Sequence, residues 1–150
     1  MPATNHMRRT LPNINKNWTL NLLNILYCSY YRFQVKVGNQ DVAPFSSMLI
    51  IAFTFMLYHF AFFFLTIILF PKEKLPINME FFLYFTISLF FTLIISLYFV
   101  FLHNEKYKYL IDKYERNITS KTLSILFPLI AFLLLNFGWI TKMLQNQGKF

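Results

Sequence analysis

The fold of this chain can be inferred from the stretch EFFLYFTISLFFTLIISLYFVFL, Glu80–Leu102. After its first residue, 22 consecutive positions carry no charge, proline or glycine. At about 1.5 Å per residue, a helix of that length reaches roughly 33 Å, which exceeds a hydrocarbon core of about 30 Å. Two further apolar segments, 46–70 and 122–140, flank this stretch. The sequence therefore predicts an all-α membrane protein with three spans.

The composition agrees with a single membrane domain, residues 46–141. Of the 150 residues, 57% are hydrophobic and 13% are charged, whereas a soluble domain is about 25% charged. The formal net charge of +8 comes from basic residues in short segments beside the apolar blocks. That placement suits membrane topology and argues against nucleic acid as a partner. Cys28 is the single cysteine, which excludes an internal disulfide and a cysteine metal cluster.

Residues 16–37 predict an amphipathic helix that lies at the membrane interface. Polar or basic side chains share one band about 80° wide when the segment is drawn as a helix. They are Asn17, Asn21, Asn24, Cys28 and Arg32. The alternative is that this band docks on the three spans, and both arrangements can hold together. The side chains expected at headgroup depth are Trp18, Tyr30, Tyr31, Arg32 and, after the third span, Trp139.

The ends of the chain and the connections have their own signals. We expect residues 1–15 to be disordered and 142–150 to form a short tail, with Met1 or Met7 as the start residue. Segment 37–44 reads as a turn in which Gly38 permits a positive φ and Pro44 excludes a helical conformation for Ala43. Ser46 or Ser47 would then cap the first span.

The remaining connections set how the spans follow one another. The short hairpin 71–79 makes the first two spans antiparallel neighbours. The second span is expected to continue past the membrane as a basic amphipathic extension. The three spans should pack as a compact bundle.

Lysine and arginine counts predict the orientation. The region up to residue 45 and the loop 103–121 hold five each, while the 71–79 hairpin and the tail after Ile140 hold two each. Three spans place the first two regions on one side, giving ten against four. The N-terminus is therefore expected in the cytoplasm and the C-terminus outside.

Intramembrane polar residues are the candidates for function. His59 near the middle of the first span is either a proton-sensitive or ion-path residue, or a neutral imidazole hydrogen-bonded to a hydroxyl of a neighbouring helix. Thr86 is among the candidate partners. Asn136 predicts an interhelical hydrogen bond, and Pro128 predicts a kink whose freed carbonyl a neighbouring helix satisfies.

Three hydroxyl residues of the second span, Ser88, Thr92 and Ser96, recur every four positions. This small-xxx-small pattern lets helices approach closely in lipid. It predicts a packing seam within the three-helix unit, or alternatively a narrow polar path in an oligomer.

Catalytic signatures are missing from the sequence. His6, His59 and His103 are spread over the N-terminal end, a span and a membrane rim, and the six acidic residues lie in turns, at span ends or in the loop. No HExxH, CxxC, Walker or dinucleotide glycine pattern is present. We therefore expect no enzymatic activity, no cofactor and no metal site.

The segments YYRFQVKVGNQDVAPFSS and LFPLIAFLLLNFGWITKM carry a resemblance to a family of small bacterial membrane proteins. That family has a Tyr-rich basic helix, a turn of the Gly-Asn/Asp type and three apolar spans, and no activity is assigned to it. The resemblance covers most of residues 25–145 and implies the bacterial inner membrane. The extension before Trp18 departs from the family pattern.

These features predict a non-enzymatic component that works by assembly in the bilayer, as an accessory or anchoring subunit of a membrane complex. Its partners would be lipid and either itself or another membrane protein. The alternative is a homo-oligomeric ion channel or membrane-disrupting effector, indicated by His59, the hydroxyl pattern and Pro128.

Overall fold

A computed structural model describes residues 18–70, 78–114 and 120–148. Its α-helices are α1 (Trp18–Lys36), α2 (Ala43–Leu69), α3 (Met79–Leu97), α4 (Lys106–Tyr114) and α5 (Ser120–Asn146). Three helical segments are long and apolar enough to cross a membrane, which confirms the all-α fold with three spans. The expectations for residues 1–15, most of the 71–79 hairpin and segment 115–119 lie outside the described residues.

The entry into α2 differs from the expected turn. Gly38 has a φ of +90°, as predicted, but Ala43 is helical, with φ −53° and ψ −41°. Pro44 fits because it occupies the first turn of α2, where an amide N–H has no helical partner to lose. The Ser46 and Ser47 hydroxyls donate backwards to the carbonyls four residues earlier, at 3.0 and 2.6 Å. The predicted serine cap is therefore wrong.

The C-terminal end of α3 does not continue as a straight helix. A π-helical turn, Tyr98–Leu102, follows α3, and then Asn104 and Glu105 adopt φ values of 55° and 54°. A right-handed helix cannot pass through residues in the left-handed region, so the predicted continuous extension is wrong. The chain turns here and begins α4 as a separate helix. The Lys106 ammonium donates to the Phe99 carbonyl across this turn, at 3.1 Å.

Helices α2 and α3 pack antiparallel, as the short hairpin predicts. Phe63 stacks on Phe82 with ring centroids 3.7 Å apart, and Phe53 lies 5.6 Å from Phe90. Residue numbers thus rise along one helix as they fall along the other. At the start of α3, the Asn78 side chain accepts from the backbone N–H of Glu80 at 2.9 Å, which caps the helix.

Helices α2 and α5 run parallel in close contact. The Tyr58 hydroxyl donates to the Phe127 carbonyl at 3.0 Å. Further along both helices, an added Cβ at Gly138 would lie 2.9 Å from the Phe64 Cβ. The α2 helix is therefore the central span, with α3 and α5 each packed on it. The outward face of α3 is open, with Phe81 and Tyr84 each 70% exposed, so the spans are not the compact bundle expected.

The best-buried part of the protein lies at one end of the spans, around α1. Leu26 and Tyr27 of α1 are fully buried, together with Met48 of α2 and Phe101 of the π-helical turn. The Tyr27 and Phe101 rings stack with centroids 4.2 Å apart and planes 9° apart. Helix α4 contributes partly buried side chains to the same core, including Tyr107. Helix α1 therefore docks on the spans, chiefly through Leu26, Tyr27 and Tyr30, which lie outside its polar band; Cys28 is the band residue buried in this core.

Candidate functional site

Helix α1 holds the ends of several other helices through hydrogen bonds. The Tyr27 hydroxyl donates to the Pro44 carbonyl at the start of α2, at 3.1 Å. The Tyr30 hydroxyl donates to the Ser124 carbonyl in the first turns of α5, at 2.8 Å. The Tyr27 and Tyr30 hydroxyls therefore tie α1 to the starts of α2 and α5 at one end of the spans. We call this arrangement the α1 junction.

Helix α4 joins the α1 junction through Tyr114, its last residue. The Arg32 guanidinium of α1 donates to the Tyr114 carbonyl, where a cation suits the negative end of the α4 dipole. The Tyr114 hydroxyl donates to the Asn21 side chain at 3.0 Å. The polar band of α1 therefore contacts α4, which explains why asparagine and arginine interrupt an otherwise apolar helix.

Burial changes the acid–base chemistry of the α1 junction. Cys28 is 3% exposed, and burial raises the pKa of its thiol to about 11, although nearby Arg32 acts in the opposite direction. Burial likewise raises the pKa of Tyr30 to about 12. Both groups stay protonated at neutral pH, so the thiol is unreactive and the tyrosine is a constant hydrogen-bond donor.

Pro128 removes the helical hydrogen-bond donor of one backbone carbonyl in α5. Proline has no N–H, so the carbonyl four residues earlier, that of Ser124, loses its helical donor. The Tyr30 hydroxyl from α1 supplies a donor in its place, and both residues are 8% exposed. The expectation that a neighbouring helix satisfies the freed carbonyl is confirmed.

His59 is paired in the way that the structural alternative predicts. Its Nε2 lies 3.2 Å from the Thr86 hydroxyl of α3, and its ring stacks against Phe82 with centroids 5.7 Å apart. The hydrogen bond to a neighbouring hydroxyl is therefore confirmed. The imidazole joins α2 to α3 among aromatic side chains. Its hydrogen bond to Thr86 lowers the free-energy cost of burying the polar ring within a span.

The hydroxyl residues Ser88, Thr92 and Ser96 do not form the seam between α3 and α2. All three are exposed, whereas Thr86 and Leu97 on the opposite face are buried. The Thr92 and Ser96 hydroxyls donate to carbonyls of their own helix, each at 2.8 Å. The predicted packing seam within the three-helix unit is wrong, because the bulky face of α3 packs on α2 instead.

Among the other intramembrane and anchor residues, some predicted roles agree with the structure and others do not. The Asn136 amide donates to the Phe132 carbonyl of its own helix at 2.7 Å, so the expected interhelical bond is not the one formed. Tyr30 is buried against α5 and does not face lipid, which corrects its role as an anchor. Trp139 is 56% exposed, as an anchor requires. The side chain of Trp18, the first residue of α1, lies outside the described part.

Tyr31 lies beside α4. Its ring centroid is 6.2 Å from that of Tyr107, and the two rings border a shallow groove completed by Lys108, Ile111 and Asp112. Lys108 is paired with Glu105 at 2.7 Å. Within 18–70, 78–114 and 120–148, no three His, Cys, Asp or Glu side chains converge as metal ligands.

One feature of the α2–α5 contact was missed in the sequence. Small residues recur every seven positions on both helices, and all of them are buried. They are Ser47, Thr54 and Ala61 on α2, with Ser124, Ala131 and Gly138 on α5. A seven-residue spacing keeps one face directed at a partner helix along its length. A search at spacing seven as well as four would have found this seam.

Comparisons with protein families, curated proteins and solved structures gave no match. The fold and its apolar helices define a multi-pass membrane protein with three candidate spans.

Proposed function

We propose that this protein is a non-enzymatic anchoring or accessory subunit of a membrane complex, and that a partner span packs on the outward face of α3. The observation that supports the proposal is the direction of the small residues. Ser88, Thr92 and Ser96 face away from α2 and are exposed. In lipid, small residues at spacing four allow close helix approach, and the residues that the structure describes leave this surface uncovered.

Two further observations favour a subunit over an independent catalyst. Helices α2 and α5 are joined by a buried small-residue seam, and the α1 junction holds their ends. Together they form a packed unit, whereas α3 contributes one face to α2 and leaves the other exposed. Such a division suits a protein that presents a span to a partner.

The test is gentle purification of the full chain from its native membrane, followed by mass measurement in nanodiscs. A stoichiometric companion protein is the expected result. Thr92→Leu should reduce recovery of the companion, because the larger side chain prevents close approach. Phe91→Leu is the matched control, since Phe91 is also exposed on α3 but is not part of the small-residue pattern. A lone monomer would contradict the proposal.

A homo-oligomeric channel is the second candidate, and the same exposed hydroxyls favour it. Thr92 and Ser96 donate to their own helix, which leaves hydroxyl lone pairs free to face a polar path. His59 is bonded on the opposite side of α3 and would not line that path. Reconstituted protein should then conduct ions, with Ser96→Leu changing the conductance and His59→Phe leaving it unaltered. If bilayers with a high protein content show no ion conductance, the channel hypothesis is wrong.

We also propose the bacterial inner membrane as the location, with the α1 junction on the cytoplasmic side. The starts of α2 and α5 and the end of the π-helical turn all meet α1, so the two lysine- and arginine-rich regions flank the same end of the spans. The excess of positive charge there supports a cytoplasmic assignment. A C-terminal alkaline phosphatase fusion should be active, and a C-terminal green fluorescent protein fusion should be dark. An inactive phosphatase fusion and a bright fluorescent fusion would show that the C-terminus is cytoplasmic, opposite to the proposed topology.

A further inference from the structure

We propose that the groove between α1 and α4 binds the headgroup of an ethanolamine phospholipid. Its lining residues are Tyr31, Tyr107, Lys108, Ile111 and Asp112. The groove has a volume of about 340 Å³ and brings an ammonium and a carboxylate together with two aromatic rings. A zwitterionic headgroup has the complementary charges, a phosphate for the lysine and a primary ammonium for the aspartate. This inference goes beyond the proposed function, since it holds with or without a protein partner.

The groove lies at the end of the membrane spans. The apolar run of the second span ends at Leu102, and Tyr107 follows within the first turn of α4. On α1, Tyr31 comes directly after Tyr30, whose hydroxyl reaches the first turns of α5 at Ser124. Lipid phosphates and amines lie at this level of a bilayer, and tyrosine rings are enriched there. The position therefore gives a headgroup direct access to the groove.

Apolar surface is exposed at the same end of the spans. Tyr98 and Phe99 of the π-helical turn, which precedes α4, are 46% and 53% exposed. Side chains of this kind at the rim of a span are covered by acyl chains in a bilayer. The combination of a charged groove and an apolar rim favours a lipid over a soluble ligand.

The tyrosines of the groove differ from the others in the α1 junction. The Tyr27, Tyr30 and Tyr114 hydroxyls each donate to an oxygen of another helix. By contrast, the Tyr31 and Tyr107 hydroxyls have no hydrogen-bond partner among the residues that the structure describes. Both residues are partly buried, and their ring centroids lie 6.2 Å apart. Two phenol groups are therefore available to a polar ligand, either as donors to a phosphate or as aromatic faces for a cation.

The charged residues of α4 also have capacity for a ligand. Lys108 and Asp112 have the spacing of a helical ion pair, yet the Lys108 ammonium contacts Glu105 at 2.7 Å instead. Within the described segments, the Asp112 carboxylate has no ion-pair or hydrogen-bond partner. The ammonium has three N–H donors, so the contact with Glu105 leaves two for a phosphate. The Asp112 carboxylate is left to accept from a ligand ammonium.

The chemistry of the groove distinguishes three common phospholipids. Phosphatidylethanolamine supplies both a phosphate and the N–H donors that the Asp112 carboxylate can accept. The quaternary ammonium of phosphatidylcholine has no N–H, so it retains only the Coulomb attraction and the cation–π contact. Phosphatidylglycerol has no cation, and its phosphate would lie near a carboxylate of like charge. We therefore expect ethanolamine to be preferred over both.

The test is native mass spectrometry of the full chain in mild detergent. The protein is mixed with equal amounts of the three phospholipids, all with the same acyl chains, and each bound lipid is counted. Wild type should retain phosphatidylethanolamine roughly 3-fold more than either competitor, the effect of one exposed charge contact. Asp112→Asn should bring the ratio to phosphatidylglycerol close to one. Lys108→Gln should weaken retention of all three, because all three have a phosphate.

Lys113→Gln is the matched control. It removes the same charge from the same helix, but the Lys113 ammonium lies over the Tyr109 and Tyr114 rings, 5.8 and 5.4 Å from their centroids, and does not line the groove. Its lipid retention should equal that of wild type. Equal losses in Lys113→Gln and Lys108→Gln would overturn the proposal, because a general basic surface would then explain the binding. An unchanged lipid ratio in Asp112→Asn would overturn it as well.

Soluble phosphoethanolamine distinguishes a lipid site from a site for a free small molecule. At the same concentration as the lipid, it should leave phosphatidylethanolamine bound, since it lacks the acyl chains that contact the apolar rim. Displacement of the lipid at equal concentration would overturn the lipid assignment. The substituted side chains Lys108, Asp112 and Lys113 are all exposed, so the variants should keep the fold.

Discussion

Replacing Gly138 by alanine tests the parallel contact between α2 and α5. In an unobstructed helix, glycine to alanine stabilises by about 1 kcal/mol. Here the added Cβ would lie 2.9 Å from the Phe64 Cβ and 3.9 Å from the Ala61 carbonyl oxygen. A Cβ cannot swing aside by a change of rotamer, so the two helices have to separate.

The magnitude follows from two opposing terms. Overpacking of a tight contact costs about 1–3 kcal/mol, and the gain in helix propensity offsets at most about 1 kcal/mol of that cost. Two Cβ atoms do not normally approach as closely as 2.9 Å, so the cost should lie in the upper part of that range. We therefore expect a net loss of about 1–2 kcal/mol in the free energy of unfolding. For a chain of this size, that corresponds to a fall of about 3–6 °C in Tm. Gly138→Leu should lower Tm further.

The assay is thermal unfolding in detergent, followed by the reaction of Cys28 with a thiol-reactive fluorophore. Cys28 is 3% exposed when folded and lies on α1, away from the mutated contact, so it reports unfolding of the whole protein. Phe137→Leu is the control, because Phe137 is the neighbouring residue and is 64% exposed. Its Tm should change little. A Gly138→Ala protein with an unchanged or higher Tm would refute the close packing of α2 on α5.

Three further predictions use other parts of the fold. The pKa of Cys28, raised by burial to about 11 from 9.0, means that the folded state keeps a proton that the unfolded state has lost. Stability should therefore fall as pH rises from 9 to 11, less steeply in Cys28→Ser, as followed by circular dichroism. Glu105→Gly should raise Tm by relieving a φ of 54°, a gain of order 1 kcal/mol; a lower Tm would contradict the turn. Thr86→Val should destabilise by about 1 kcal/mol, because His59 loses its partner. Thr92→Val, at an exposed position, should be nearly neutral in thermal unfolding in detergent, and equal effects of the two substitutions would argue against the His59–Thr86 pair.

The sequence was sufficient for the elements whose formation depends on local composition. Long uncharged runs such as Glu80–Leu102 have to be helical in lipid, since every backbone group needs an internal partner. The antiparallel order of α2 and α3 followed from a connection too short for any other arrangement. The pairing of His59 could be anticipated because an imidazole within a span needs a hydrogen-bond partner. Pro128 similarly predicted a backbone carbonyl that needs a hydrogen-bond donor from another helix.

Which helix faces meet depends on long-range packing. The hydroxyl pattern of Ser88 and its neighbours suggested a seam at spacing four, yet the contacts formed at spacing seven around Ala61 and Gly138. Both patterns permit close approach, and the choice depends on which surfaces the other helices offer. Likewise, the amphipathic pattern of α1 did not show whether this helix lies on lipid or on protein. Its polar side chains can form hydrogen bonds with water at the membrane surface or with backbone carbonyls of another helix. The position of Tyr30 beside the proline-freed carbonyl of Ser124, 94 residues away, results from long-range packing that no local pattern specifies.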